Sequence, residues 1–149
     1  MYLIVGLGNP GPEYSKTRHN VGFWVIEALA ERWKIDLSKK KFKSHYGEGF
    51  FQNEKVILSL PQTFMNLSGE SVAAMTDFYK IPLDQLIVIH DEMDLEIGRL
   101  KVVREGGPAG HRGVASIQQL LATQSFCRFR IGIGKPSHKT KTNGFVLGE

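Results

Sequence analysis

The chain has 149 residues, 42% hydrophobic and 23% charged, a balance that fits one folded domain with its own core and excludes extensive disorder. Its formal net charge of +4 favours a polyanionic partner, and its single cysteine, Cys127, excludes any disulfide within the chain. No apolar run approaches the roughly 20 residues of a membrane-spanning helix, so the expectation is a cytoplasmic protein without a membrane segment, with Cys127 as a small buried hydrophobe in a reducing compartment.

In chain order, Tyr2 to Leu7 is a continuously apolar, β-branched run, as a strand covered on both faces requires. Asn20 is placed to cap a helix whose apolar positions Phe23, Ile26, Leu29, Ala30 and Trp33 follow helical spacing. Phe42 to Phe51 and Lys55 to Leu60 read as two strands joined by the polar turn Gln52-Asn53-Glu54. A second helix spans about Leu67 to Tyr79, with Val72, Met75 and Phe78 or Tyr79 inward and Pro82 closing it. Leu86 to Ile89 is a buried strand that runs into His90-Asp91-Glu92-Met93-Asp94, and Gly98 to Val103 is a further strand. Val114, Ile117, Gln118, Leu120 and Leu121 mark a third helix, and Arg128 to Ile133 a last strand. Strands interleaved with helices predict a three-layer α/β domain, residues 1–149, around a mixed, mostly parallel sheet.

Gly6, Gly8 and Gly11 form a G-x-G-x-x-G directly after the first strand, the pattern that cradles a pyrophosphate in dinucleotide-binding folds. That role needs a helix starting at the glycine turn and an acidic residue about 20 positions later at the end of a strand. Here Pro10 and Pro12 stiffen a loop, the helix waits until after Asn20, and Glu31 at roughly that spacing lies inside the helix. No nucleotide cofactor is expected.

The polar residues around the glycines say more. Sites in open α/β sheets form beyond the carboxyl ends of strands. Asn9 follows the first strand, Asn66 follows the strand ending near Leu60, and Asp91 sits at the exit of the Leu86–Ile89 strand. His19 closes the opening loop. Parallel neighbours would bring these four together, with His19 the only histidine placed to pair with Asp91. A histidine near neutrality takes a proton from water, a carboxylate on its other ring nitrogen fixes the tautomer, and amides donate to a developing oxyanion. With no serine or cysteine nucleophile adjacent, water itself would attack an ester or amide.

The segments VGLGNPGPEYSKTRHNVGF, PQTFMNLSGESV, HDEMDLEIG and RFRIGIGKP resemble those of bacterial peptidyl-tRNA hydrolases, in the same order and across almost the whole chain. The resemblance implies that family's fold and an esterase that frees tRNA from prematurely released peptidyl-tRNA, acting as a monomer without cofactor or metal. It implies a catalytic set of His19 as general base, Asp91 as its orienting partner and Asn9 as the reader of the peptide. Tyr14, Phe64, Met65 and Asn66 would line the substrate cleft, His111 and Arg112 would also contact substrate, and Lys101 with Arg130 would clamp a tRNA phosphate.

This sequence departs from the family in Gly107 to Gly113, which reads GPAGHRG where Gly-Gly-His-Asn-Gly is usual, so Arg112 replaces an asparagine and Pro108 stiffens the loop. A guanidinium only donates and adds a charge, which would attract tRNA but disfavour a protonated His19 and slow turnover. The chain also stops at Glu149, before the C-terminal helical part usual in the family. Two rivals remain: an inactive RNA-binding protein on the same fold, and a metal-dependent hydrolase using His90, Asp91, Glu92 and Asp94. Basic residues at Lys39–Lys41, Lys43, Arg99, Lys101, Arg104, Arg128, Arg130 and Lys135–Lys141 suit RNA, though each cluster alone reads as a solvated face.

Overall fold

The computed structural model describes residues 1–134. Strand β1 (Tyr2–Gly6) lies at the centre of a sheet of seven strands. Helix α1 (Val21–Trp33) follows it. Then come β2 (Lys39–Lys41), β3 (Ser44–Phe51) and β4 (Glu54–Pro61). Helix α2 (Ser68–Tyr79) and β5 (Leu86–Glu92) lead to β6 (Leu100–Val103), α3 (Arg112–Leu121) and β7 (Cys127–Gly132).

The sheet order is β2-β3-β4-β1-β5-β7-β6. Strands β4, β1, β5 and β7 are mutually parallel, while β3 and β6 run against their neighbours. The expected mixed α/β sheet is therefore present. From β1 the chain first builds one side of the sheet and then crosses to the other, so the carboxyl end of β1 is a switch point where a crevice opens.

Alternation along the central strands separates the layers. Leu3 and Val5 of β1 with Leu86 and Val88 of β5 pack with Val72, Met75, Val114 and Ile117 of α2 and α3. Ile4 and Ile89 face the other way, onto Phe23, Ile26 and Ala30 of α1. Each such fully buried aliphatic side chain contributes about 1.5–3 kcal/mol relative to exposure. Cys127 is buried, and burial pushes its thiol pKa up, as suits an inert hydrophobe rather than a nucleophile.

The opening glycines serve packing. A Cβ on Gly6 would meet the carbonyl oxygen of Gly22 at 2.2 Å, and one on Gly8 would meet the Phe23 ring at 2.8 Å. They let the first turn of α1 lie directly on the exit of β1, and Gly11 supplies a left-handed turn at φ +117°.

Several expectations need correction. Asn20 makes no side-chain cap on α1; its amide is spent elsewhere, as described below. Helix α2 ends on Lys80 in a left-handed conformation, and Pro82 instead precedes a short 3-10 turn. Of Phe78 and Tyr79, it is Tyr79 that packs against the core, while Phe78 is exposed. Lys39–Lys41 is an edge strand, paired with Ser44–Tyr46. Arg128, counted with the basic surface, is fully buried, and its guanidinium donates to the Gly107 and Gln124 carbonyls. Lys135–Lys141 lies outside the described residues. Among those described, no helix is long and apolar enough to cross a membrane.

Candidate active site

A cleft of about 630 Å³ opens at the carboxyl edge of the sheet, lined by Asn9, His19, Phe64, Met65, Asn66, Asp91, His111 and Arg112 among others. Among the described residues, no serine, threonine or cysteine lines it. Asp91, the sixth residue of β5, is the buried centre. Its Oδ2 accepts from His19 Nδ1–H, and its Oδ1 accepts from His111 Nε2–H at 2.8 Å. The sequence expectation of a single histidine partner is thus corrected: the mouth of α3 folds back over β5 and supplies a second.

Burial works against the charge on Asp91, but the bonds from His111 and His19 outweigh it and hold the carboxyl well below its usual range. The same bond raises His19 above an ordinary histidine, with burial opposing. Arg112 is exposed at the first turn of α3 and lines the cleft, where solvent screens its charge.

Donation from Nδ1 leaves His19 Nε2 with a lone pair, on a side chain 36% exposed at the cleft. The 3-10 turn Arg18–Asn20 that carries His19 packs on β5. Next to it, Asn20 clasps the backbone of Asn9: Asn9 N–H donates to Asn20 Oδ1 and Asn20 Nδ2–H donates to Asn9 O, both at 2.9 Å. Asn9 Oδ1 in turn accepts from Met65 N–H at 3.0 Å, leaving Nδ2 as its donor group. Asn20 is a supporting residue that sequence reasoning missed, because an asparagine before an apolar helix carries the same signal as a cap.

Phe64 is exposed at the rim, and Met65 and Asn66 begin the 3-10 turn that leads into α2. Lys101 on β6 lies opposite Arg130 on β7 in register. Lys101 is exposed, whereas Arg130 is largely covered and has its Nε 3.9 Å from Glu92 Oε1. Tyr14 lies in the opening loop, where its backbone bonds Gly11 and Thr17, and it is not among the residues lining the cleft. The acidic run does not converge: His90 points toward α3, Asp91 serves two histidines and Glu92 faces Arg130. Among the described residues no trio of such side chains is placed to hold a metal ion.

Among the described residues, the carboxyl edge of this mixed α/β sheet holds a histidine–carboxylate pair and amide donors without a side-chain nucleophile, an arrangement that suits an enzyme of the water-activating class. The family described as peptidyl-tRNA hydrolase matches residues 3–149. A peptidyl-tRNA hydrolase of Caldanaerobacter subterraneus is 57% identical over 136 residues, covering 91% of this chain and 74% of that one. One from Clostridium novyi is 53% identical over 149 residues, covering 100% of this chain and 79% of its own length. The crystal structure of the Acinetobacter baumannii peptidyl-tRNA hydrolase superposes with a TM-score of 0.91 at 44% identity, covering 99% of this chain and 76% of that one. The chain belongs to the peptidyl-tRNA hydrolase family.

Proposed function

We propose that this protein hydrolyses the ester joining peptide to the 3′ ribose of tRNA in peptidyl-tRNA released prematurely from ribosomes, with His19 activating the attacking water. The observation that carries the reading is the ring of His19, tied at Nδ1 to a buried carboxylate while Nε2 faces the cleft. Nε2 takes a proton as the water oxygen bonds to the ester carbon. Asp91 stays ionised and steadies the imidazolium. When the tetrahedral intermediate collapses, the ester C–O bond breaks and the imidazolium returns its proton to the departing ribose oxygen.

Asn9 is held on its backbone by Asn20 and at Oδ1 by Met65, so its Nδ2–H is a fixed donor for a substrate carbonyl. Such a donor favours substrates with a peptide group beyond the ester, separating peptidyl- from aminoacyl-tRNA. Asn66, Phe64 and Met65 line the place of the acyl chain. Lys101, with a smaller share from Arg130, meets a tRNA phosphate.

The enzyme works as a cytoplasmic monomer and needs no metal for the chemistry. The direct test compares N-acetylated with unblocked aminoacyl-tRNA. Release of tRNA from the blocked substrate only is expected, and it should survive chelation once magnesium for tRNA folding is supplied separately. Equal cleavage of both substrates would refute the peptide-reading role, and activity restored only by zinc or manganese would refute His19 as the activator.

A further inference from the structure

His111 has both ring nitrogens engaged and its side chain only 9% exposed, so it offers little to a substrate. Its Nδ1 accepts from the N–H groups of Gly113 and Val114, at 3.1 and 3.2 Å, which makes it the N-cap of α3. A nitrogen that accepts two N–H bonds carries a lone pair and no proton. The proton of the neutral ring is therefore on Nε2, where it is donated to Asp91 Oδ1. Protonating Nδ1 would set an N–H against two others at a helix N-terminus, where positive charge is disfavoured.

The surroundings hold this state in place. His90 presses edge-on against the ring, centroids 4.5 Å apart, with its Nδ1–H donated to the Asp91 carbonyl. Burial pushes His90 down to about 3, so it too is neutral. A side chain at Gly113 would collide with Met65 Sδ at 2.7 Å and Leu7 Cδ1 at 2.9 Å, which shows how closely the mouth of α3 is seated on the cleft floor. The charged groups around the ring are Asp91 and His19, with Arg112 next in sequence and Arg130 acting on His90 behind it.

We propose that His111 is a positioning residue locked in its neutral Nε2–H tautomer, which ties the N-terminus of α3 to Asp91 Oδ1 and so presents Oδ2, alone and in a fixed orientation, to the base His19. This rests on the reading of His19 as the base. Three consequences follow from the bonds. Asp91 cannot rotate away from His19 without breaking the α3 anchor. The negative charge is shared with a second donor, which limits how far the carboxylate raises His19. The first-turn N–H groups that could have taken a phosphate are occupied by an imidazole lone pair.

Two measurements test it. In the native protein labelled with ¹⁵N-histidine, long-range proton–nitrogen spectra at the pH of the cleavage assay should show His111 with Nδ1 unprotonated and Nε2 protonated. A protonated Nδ1 there would overturn the proposal. The second measurement uses His111→Asn, since asparagine is a good N-cap but too short to cap α3 and also reach Asp91. Its kcat should fall about tenfold to a hundredfold with KM little changed, the cost of a misplaced base. The acidic limb of its pH–rate profile should move to higher pH, because Asp91 then gives more of its charge to His19. A native rate in His111→Asn would reduce His111 to a helix cap, and a raised KM with unchanged kcat and limb would make it a substrate contact. If His19 is not the base, the native protein itself lacks the limb, which distinguishes that failure from this one.

Discussion

The two loops that meet at Asp91 each deliver a histidine, and the two rings end in opposite circumstances. The opening loop holds His19 by one nitrogen and leaves the other at the cleft. The mouth of α3 holds His111 by both. Residue type and partner are the same, so the chemistry open to each ring follows from the nitrogen its surroundings leave over: a lone pair at the cleft suits a base, and none left over suits a brace. Exposure runs with this difference, 36% for His19 against 9% for His111.

The largest effect should come from breaking the His19 side. His19→Ala should lose about a hundredfold to ten-thousandfold in single-turnover cleavage with tRNA affinity nearly unchanged. Asp91→Asn should also slow cleavage markedly, since the amide can hold the wrong tautomer and cannot support the imidazolium. Near-native cleavage by folded His19→Ala would erase the distinction between the two rings.

A smaller effect sharpens the comparison by leaving both histidines alone. Lys101→Ala should weaken tRNA binding and lower the slope of log affinity against log salt by about 0.7–0.9, one phosphate contact. Arg130→Ala should change that slope less, because its guanidinium lies near Glu92. An unchanged slope in Lys101→Ala would make the clamp an ordinary solvated face. The smallest effect belongs to Arg112→Asn, which should weaken binding at low salt by about fivefold or less and leave the rate nearly unchanged. A clear rise in rate would show that Arg112 does act on His19.

Much of this arrangement could be read from residue order, and the failures have physical causes. Tyr2–Leu7 and Leu86–Ile89 stand out because strands covered on both faces must be apolar throughout. His19, Asp91, Asn9 and Asn66 were placed together by the rule that loops beyond parallel strands share one edge. Lys39–Lys41 hid an edge strand because exposed strand residues need no apolar alternation, and Arg128 hid in the core because in sequence an arginine that will donate to buried carbonyls looks like a surface one. The bond from His111 to Asp91 spans 20 positions and depends on how α3 is seated, which no local pattern encodes. Asn20 was legible as important but assigned to the wrong partner.

The central claim, that a neutral His19 nitrogen sharpened by Asp91 activates water, is tested most directly on the unaltered protein. The measurement is single-turnover cleavage of N-acetylated aminoacyl-tRNA across pH, corrected for spontaneous ester hydrolysis at each point. His19 must be neutral to act, and its bond to Asp91 raises its pKa. The rate should therefore rise with pH through a single ionisation above the ordinary histidine value of about 6.5 and then level off. A profile that is flat from pH 5.5 to 8.5, or a limb below that ordinary value, would contradict the account.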